Sequence, residues 1–517
     1  MRQFQLDLPD SYNVSEILFN NLEAGRGDKV AIYCGDEKLS YGELAEMASS
    51  VGRGLQDLGL EPGARVLMLL LDAPAFPATF FGSIRAGYLP IPANTVLQPD
   101  DYSYFLQDSA AQAVVVDGSL YPQIEKITSN CPALKHIIVV EGEGAAGTLD
   151  WATWLASANT DLDPAQTNKD DPAFLLYSSG STGFPKGVVH LQHDIPYTVE
   201  TYAKQVLRIK EEDITFSASK AFHAYGLGNN VTFPYSVGAS TVLFPGRPTP
   251  QAAFEHVERY HPTLFFAVPT LYAAMLATDV GNNMDFKTVR YCVSAAEALP
   301  PEVYRQWHAR FNLEILDGIG STEMLHIFMS NRPGQVKPGS SGVLVPGYDA
   351  KILDENGTSV EVGDSGDLFV KGGSAAPYYW NRPEKTKHTM RGDWLFTGDR
   401  YYQDKDGFFY YAGRSDDMLK VGGQWVSPIE VENTLLEHSA VLESAVVAAR
   451  DEANLQRTKA FVVLHQGYRG SAELAKELQE FVKSRIAPYK YPRLVDFVEE
   501  LPKTATGKIQ RFRLRQE

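Results

Sequence analysis

The sequence predicts an α/β protein with a large N-terminal domain of helix-covered sheets, a β-rich subdomain and a small α+β C-terminal lid domain. Its 517 residues exceed what one hydrophobic core holds, about 250–300 residues. Apolar strand-like runs alternate with helical patterns up to residue 340, after which glycine-rich turns separate shorter strand-like pieces. The 44% share of hydrophobic residues is typical of a folded chain.

The predicted strands of the N-terminal domain are rich in Val, Ile and Leu, which is typical of sheets covered by helices on both faces. They are Arg65–Leu71, Ala113–Val116, His136–Val140, Ala173–Tyr177, Ile214–Ser217, Thr241–Phe244 and Leu264–Val268. Helical spacing over 255–262 and 270–278 flanks the last of these strands.

Glycine turns such as KGG at 371–373 and DKDG at 404–407 indicate the β-rich subdomain. The elements predicted from there onward are strands Asp367–Lys371 and Phe408–Ala412, helix Pro428–His438, strands Ser444–Ala449 and Thr458–His465, and helix Ser471–Arg485. Because the sequence changes in character after Gly413, we predict domains at 1–413 and 414–517.

Composition excludes several classes of function. The net charge of −17, from 47 basic and 64 acidic residues, argues against a nucleic-acid partner, which requires a basic surface. The longest apolar runs, Leu67–Leu71 and Leu264–Ala277, are shorter than the roughly 20 residues that span a bilayer. The three cysteines lack metal-binding spacing, and the first residues do not resemble a signal peptide. We therefore expect a cytoplasmic enzyme without a membrane partner.

The strongest motif is YSSGSTGFPKG at 177–187, which follows a predicted strand. Its three glycines, four Ser/Thr residues and one lysine supply backbone donors, hydroxyls and charge for phosphate oxygens. Pro185 prevents a helix from starting at Lys186, unlike in the usual NTPase loop. A flexible linker is the less favoured interpretation. The candidate phosphate ligands are Ser178, Ser179, Gly180, Ser181, Thr182, Gly183 and Lys186.

Three further motifs are ambiguous when each is taken alone. DGIGSTE at 317–323 offers hydroxyls beside Glu323, a carboxylate able to hold Mg²⁺, but helix capping explains it equally well. It lacks the third glycine of a dinucleotide fingerprint. TGD at 397–399, followed by GRSDD at 413–417, and PKTATGK at 502–508 are more often exposed turns.

Together and in this order, the four motifs resemble the adenylate-forming superfamily of acyl- and aryl-CoA synthetases, luciferases and peptide-synthetase adenylation domains. The resemblance extends from SYGELAEMASSVGRGL at 40–55 to Lys508. FHAYGLGNNVTFPYSVGA (222–239), GIGSTEMLHIF (318–328) and RSDDMLKVGGQWVSPIEVE (414–432) are most similar to benzoate- and 4-hydroxybenzoate-CoA ligases.

The resemblance implies ATP, Mg²⁺ and coenzyme A as cofactors and an aryl carboxylate as substrate. An aryl-adenylate and pyrophosphate would form first, and CoA would then displace AMP to give aryl-CoA. By this resemblance the loop Ser178–Lys186 contacts the β- and γ-phosphates, Thr322 contacts the α-phosphate and Glu323 binds Mg²⁺. Lys508 would stabilise charge between the attacking carboxylate and the α-phosphate.

The resemblance also implies the residues around the nucleoside. These are Ala296, Glu297, Asp317, Gly318, Ile319, Gly320, Ser321, Thr322, Asp399 and Arg414. Asp399 would bind the ribose with Arg414 as its partner. Ile319 stands where many members have an aromatic residue, so an aliphatic contact would replace stacking on adenine.

The implied aryl-acid pocket consists of His223, Ala224, Tyr225, Gly320, His326 and Ile327. His223 would orient the carboxylate, and His326 either meets a polar ring substituent or is structural. Asp416 stands at the implied hinge, and Gly422 and Gly423 line the implied CoA tunnel. Rotation of the lid domain would withdraw Lys508 before the thiol enters.

Alternatives from other classes remain open. An adenylation enzyme could load a carrier-protein thiol or use a medium-chain fatty acid, and a carboxylate kinase would release ADP. A non-catalytic ligand sensor is disfavoured because Glu323 and Lys508 are both present.

GDSG at 363–366 lacks the partner motifs of a serine protease. Lys508 is a candidate for reversible acetylation by a lysine acetyltransferase and a deacetylase, because acetylation would remove its charge. A homodimer and the choice among benzoate, 4-hydroxybenzoate and halobenzoate are left open.

Overall fold

A computed structural model describes residue 4 and residues 6–178, 185–284, 286–415, 419–421, 424–450, 456–503 and 509–515. The predicted α/β class is confirmed: a large N-terminal region of sheets and helices precedes a smaller α+β region. The boundary between 413 and 414 stays a prediction. Within the described ranges, no helix is both long and apolar enough to cross a bilayer.

The strands are numbered in chain order. They are β1 Val30–Cys34, β2 Glu37–Ser40, β3 Arg65–Leu69, β4 Leu89–Pro92, β5 Ala113–Asp117, β6 His136–Val140, β7 Leu149–Asp150, β8 Pro172–Ser178, β9 Lys186–Leu191, β10 Ile214–Ser217, β11 Ser240–Val242, β12 Leu264–Ala267, β13 Tyr291–Ser294, β14 Ile315–Gly320, β15 Ile327–Ser330, β16 Val343–Leu344, β17 Asp349–Leu353, β18 Gly366–Lys371, β19 Met390–Arg391, β20 Trp394–Gln403, β21 Phe409–Arg414, β22 Leu419–Val421, β23 Gln424–Val426, β24 Val441–Arg450, β25 Gln456–Leu464 and β26 Leu494–Phe497.

The α-helices are numbered in the same way. They are α1 Glu16–Glu23, α2 Tyr41–Asp57, α3 Ala75–Arg85, α4 Pro99–Ser109, α5 Tyr121–Glu125, α6 Trp151–Ser157, α7 Asp194–Thr198, α8 Ala224–Leu227, α9 Phe233–Val237, α10 Pro250–Tyr260, α11 Pro269–Leu276, α12 Pro301–Phe311, α13 Pro383–Thr389, α14 Pro428–Leu436, α15 Ala472–Arg485 and α16 Arg511–Leu514. A π-helix over Val199–Leu207 extends α7, and another over Gly228–Thr232 joins α8 to α9.

Two large sheets form the N-terminal region. The first has nine strands in the order β16-β15-β14-β13-β12-β10-β11-β1-β2, parallel from β1 to β14 and antiparallel at both ends. The second is the parallel sheet β4-β3-β5-β6-β7. The central strands β5 and β12 are buried along their whole length, as expected for sheets covered on both faces.

Smaller sheets complete the fold. The antiparallel hairpin β8–β9 encloses the predicted phosphate loop, and β17, β18, β19, β20 and β21 form the predicted β-rich subdomain. In the C-terminal region β24, β25 and β26 form a sheet with its own apolar cluster, which includes Val431 of α14 and Leu478 of α15. The predicted C-terminal helices and strands are confirmed, with ends shifted by up to three residues.

Helices α2 and α3 pack unusually close to one another. A Cβ atom built on Gly82 of α3 would lie 2.3 Å from the carbonyl oxygen of Ala48 in α2. A Cβ on Gly52 of α2 would lie 2.6 Å from the carbonyl oxygen of Gly82. The two glycines therefore allow the backbones to approach at a distance that side chains would prevent.

We expect Gly82→Ala to lower the free energy of unfolding by about 1–3 kcal/mol, because the clash is with backbone that cannot yield. Alanine is the better helix former, so its intrinsic preference opposes this effect. Urea unfolding followed by tryptophan fluorescence measures the change. Gly27→Ala is the control, since its Cβ would meet its nearest neighbour at 3.9 Å. An equal or higher midpoint for Gly82→Ala would contradict the packing argument.

Candidate active site

Two predicted site residues from distant parts of the sequence meet in a largely buried ion pair. Lys186, the first residue of β9, places its Nζ 3.0 Å from Oε1 of Glu323, which lies in the turn after β14. The side chains are 19% and 13% exposed, so water screens the pair only weakly. The phosphate-loop motif and the DGIGSTE motif thus converge on one point.

A tyrosine that the sequence did not single out completes this cluster. The Tyr379 hydroxyl donates to Oε1 of Glu323 at 2.7 Å and accepts a hydrogen bond from Lys186 at 2.8 Å. Burial acts to raise the pKa of Glu323, but the Lys186 charge and the Tyr379 hydrogen bond outweigh it. The pKa of Glu323 is consequently lowered, and its carboxylate is ionised at neutral pH.

A buried histidine on β9 holds the turn that carries Thr322. His190 of β9 contacts the Thr322 carbonyl oxygen through Nε2 at 2.9 Å and Asp194 Oδ2 through Nδ1 at 2.7 Å. A carbonyl accepts, so Nε2 donates there. Ser321 caps the same turn by accepting from the Met324 amide at 3.2 Å. The sequence signal for His190 was only its place in the strand after the phosphate loop.

The hairpin β8–β9 is clamped by helix α4. Tyr177 donates to Asp108 Oδ2 at 2.7 Å, before the loop, and Tyr104 donates to the Pro185 carbonyl at 2.8 Å, after it. Arg382 joins both residues of α4, at 3.2 Å from Asp108 Oδ1 and 2.6 Å from the Tyr104 hydroxyl. The i, i+4 spacing of Tyr104 and Asp108 was the available signal, and it does not reveal their partners.

The predicted ribose pair is assembled where β20 and β21 lie side by side. Asp399 and Arg414 are opposite one another in the antiparallel register, and Arg414 donates to Asp399 Oδ1 at 2.9 Å. Gly398, within β20, has a φ of +72°, a backbone conformation that favours glycine. A Cβ on Gly398 would lie 2.9 Å from Arg414 Nη2.

The predicted nucleoside residues lie at the carboxyl ends of β13 and β14, where open α/β sheets bind ligands. Ala296 has a φ of 77°, a strained conformation for a residue with a side chain. Glu297 is held at 2.9 Å by the Thr270 hydroxyl. Burial raises the pKa of Asp317 to about 8, so its carboxyl group is largely protonated at neutral pH.

The glycines of this motif have a packing reason of their own. A Cβ on Gly318 would lie 2.6 Å from the Met329 carbonyl, and one on Gly320 would lie 2.5 Å from the His326 carbonyl. Ile319, between them, pairs with Met329 in the ladder to β15. Glycine at both positions is therefore required by the β14–β15 approach, whether or not a nucleotide is bound.

The two segments predicted to form the acid pocket come together. His326 Nε2 lies 3.3 Å from the Tyr225 carbonyl, and the two rings are 5.7 Å apart. Ala224 and Ile327 are buried, while His223 is half-buried at the start of α8 with its ring 4.6 Å from that of Phe222. The Tyr225 hydroxyl donates to the Val293 carbonyl of β13 at 3.1 Å.

His326 is deeply buried among rings. It is 3% exposed, contacts Phe233 and Tyr202 at 4.5 and 5.2 Å between centroids, and lies over the Cα of Gly228. Burial lowers the pKa of His326 to about 3, so the ring is neutral. Since Nε2 donates to the Tyr225 carbonyl, Nδ1 is left as an acceptor.

A polar network that the sequence did not indicate supports the strand end before His223. Asp72 is 1% exposed, accepts from the Ala221 amide at 3.1 Å and lies 4.0 Å from Lys220 Nζ. Asn230 donates to the Ser219 carbonyl at 3.3 Å. Burial raises the pKa of Asp72 to about 6 and lowers that of Lys220.

The other predicted site residues lie outside the described residues. They are Ser179, Gly180, Ser181, Thr182, Gly183, Asp416, Gly422, Gly423 and Lys508. The chain on either side of 504–508 is held by a backbone bridge between Lys503 and Ile509. Arg511 binds Glu432 of α14 at 2.7 Å, and Lys503 binds Glu443 at 2.8 Å.

Comparison with known proteins finds family models and relatives that together cover nearly the whole chain. The model of the AMP-binding enzyme family matches residues 19–380, and that of the AMP-binding enzyme C-terminal domain matches residues 430–508. The chain is 49% identical to a benzoate–CoA ligase of Thauera aromatica, over 99% of this chain and 97% of that protein. It is 44% identical to a 4-hydroxybenzoate–CoA/benzoate–CoA ligase of Rhodopseudomonas palustris, over 98% and 94% of the two chains.

A solved structure is similar over nearly the whole fold. It is the anthranilate CoA ligase AuaEII in complex with anthranoyl-AMP, with a TM-score of 0.94 and 42% identity over 99% of this chain and 98% of that one. Because a family model covers most of the chain and relatives of this identity cover nearly all of it, the chain belongs to the AMP-binding enzyme family, within the adenylate-forming superfamily that its motifs resemble.

Proposed function

We propose that the protein is an ATP-dependent, AMP-forming aryl-CoA ligase that converts benzoate or 4-hydroxybenzoate to its CoA thioester. The observation that carries this proposal is the short segment from β14 to β15. Its Glu323 contacts Lys186 of the phosphate hairpin, and its His326 contacts Tyr225 of the acid segment. One turn therefore joins a site for nucleotide phosphates to a ring-lined pocket.

In the proposed first step, a carboxylate oxygen of the aryl acid attacks the α-phosphorus of ATP and pyrophosphate leaves. Both reactants are anions, so positive charge must lie between them in the transition state. We assign this role to Lys508. Lys186 and the loop from Ser178 receive the β- and γ-phosphates, Thr322 contacts the α-phosphate, and His223 orients the acid.

Glu323 fits the role of a Mg²⁺ ligand. Magnesium in nucleotide sites uses one or two carboxylates together with phosphate oxygens, and the Glu323 carboxylate is ionised beside the phosphate-loop lysine. When bound, Mg²⁺ would neutralise charge on the phosphates and so favour departure of pyrophosphate.

In the second step, the CoA thiol attacks the acyl carbon and AMP leaves. Lys508 would obstruct that thiol, so we propose that the lid domain rotates about Asp416 and brings Gly422 and Gly423 to the tunnel. An acetyl group on Lys508 would remove the charge that the first step needs. The proposal of an acetyltransferase and a deacetylase depends on this role of Lys508, and it is refuted if the first step does not need the lysine charge. We place the reaction in the cytoplasm, where ATP and CoA are available.

The acid class is supported by the names of the relatives and by the pocket. The Thauera and Rhodopseudomonas proteins are named for benzoate and 4-hydroxybenzoate, and AuaEII holds an aryl-adenylate. Tyr225, His326 and Ile327 are bulky residues that suit a short flat ring and would block an extended chain.

Benzoate or 4-hydroxybenzoate should exceed octanoate by about 10²–10³ in kcat/KM, because the misfit of a long chain costs a few kcal/mol. Acid-dependent exchange of ³²P-pyrophosphate into ATP measures the first step across a panel of aryl and fatty acids. Release of AMP in the full reaction excludes a kinase, and CoA is compared with a carrier protein as acceptor. Octanoate activity equal to that of the aryl acids would refute the aryl-ligase proposal.

Lys508→Ala should abolish most ATP-dependent turnover but leave thioester formation from pre-made aryl-AMP and CoA at a substantial rate. The reason is that its ammonium is needed only while two anions approach each other. The two half-reactions are measured separately, with Lys503→Ala as a control that removes a nearby lysine. An equal loss in both half-reactions would show that Lys508 does not act in this way.

His326→Leu should reduce activity on 4-hydroxybenzoate more than on benzoate if Nδ1 accepts a hydrogen bond from the ring hydroxyl. Because the pKa of His326 is about 3, the ring stays neutral and the wild-type ratio of the two activities should be flat between about pH 6 and about pH 8. Measurement of kcat/KM for both acids decides the question. A parallel loss on both acids would make the histidine structural.

A further inference from the structure

Tyr379 is built rigidly into the edge of the phosphate hairpin. Its backbone pairs with Val188 of β9, and the following Trp380 amide donates to the Gly187 carbonyl at 2.7 Å. The Tyr379 amide donates to the Thr386 hydroxyl of α13 at 3.0 Å. The residue is 2% exposed, so its hydroxyl has little freedom to move away from the cluster.

The hydroxyl of Tyr379 links the two charged residues of the nucleotide site. It donates its one proton to Glu323 and uses a lone pair to accept from Lys186. The Lys186 ammonium also lies 4.3 Å from the centre of the Tyr379 ring, where a cation is attracted to the aromatic face. Burial, followed by the Glu323 charge, raises the pKa of Tyr379, so the phenol keeps its proton.

Nucleotide binding would change what surrounds Glu323. In the structure Lys186 lies beside the carboxylate that would hold the metal, and it is the lysine proposed to contact phosphates. A carboxylate that loses its ammonium partner is free to turn away. The Tyr379 hydroxyl, which donates to Oε1 at 2.7 Å, would hold the carboxylate in place.

We propose that Tyr379 is a positioning residue for the metal and phosphate end of the ATP site. Its hydroxyl keeps the Glu323 carboxylate aimed while Lys186 exchanges that carboxylate for the nucleotide phosphates. This inference rests on the proposed function for the identity of the ligands, and it adds a residue that none of the sequence motifs contains.

The test uses Tyr379→Phe, which keeps the ring and removes only the hydroxyl. Binding of a non-hydrolysable ATP analogue is titrated by calorimetry at several Mg²⁺ concentrations. We expect the variant to bind about 10- to 100-fold more weakly, the effect of losing a hydrogen bond to a charged group. Higher Mg²⁺ should recover part of the loss. Thioester formation from pre-made aryl-AMP should stay within about twofold of wild type, because that step needs no pyrophosphate end.

Tyr378→Phe is the matched control, since that neighbouring side chain is 36% exposed, and it should bind like the wild type. In a Glu323→Gln background the hydroxyl should lose most of its effect, because Tyr379 acts through that carboxylate. The inference is overturned by unchanged binding, by a loss that ignores Mg²⁺, or by an equal effect in the Glu323→Gln background. Failure of the aryl-acid panel with these binding results intact would refute only the proposed substrate.

Discussion

The architecture of the site depends on one largely buried ion pair, between Lys186 and Glu323. These residues are 137 positions apart in the sequence, and neither charge could remain buried without the other. The hairpin β8–β9 must therefore reach the turn after β14. His190 of β9 helps to keep it there by binding the Thr322 carbonyl. The turn itself is fixed by the Ala376 amide, which donates to the Glu323 carbonyl at 2.8 Å.

The segment from Gly320 to Ile327 serves both halves of the proposed chemistry. On one side it contacts the phosphate hairpin, and on the other its His326 contacts Tyr225 of the predicted acid segment. Because β14 and β15 approach too closely for side chains at Gly318 and Gly320, the segment has little freedom to shift. The spacing between Glu323 and His326, the residues proposed to serve the nucleotide and the acid, is thereby set by sheet geometry.

The sequence allowed the fold to be predicted better than the contacts within the site. Continuous apolar runs predicted the bounds of β6 and β12 to within one residue. A strand in a sheet that is covered on both faces is apolar along its length, and this pattern is visible in the sequence. The predicted strand Arg65–Leu71 is two residues too long, since β3 ends at Leu69. Leu70 is still buried beyond the end of the strand, and hydrophobicity does not report where backbone hydrogen bonding stops. Tyr379 was missed because its partner Lys186 is 193 residues away and periodicity reports only near neighbours.

The clamp on the phosphate hairpin has a consequence for how such a site can change. Asp108, Tyr104 and Arg382 hold Tyr177 and Pro185, which stand on either side of the loop at 179–184. The frame is therefore specified by residues that are not part of the loop itself. Loop sequences could be exchanged between relatives, or randomised in a library, without redesigning the scaffold that presents them. The hairpin β8–β9 thus serves as a fixed support, and the loop residues that it carries can be changed without altering the fold.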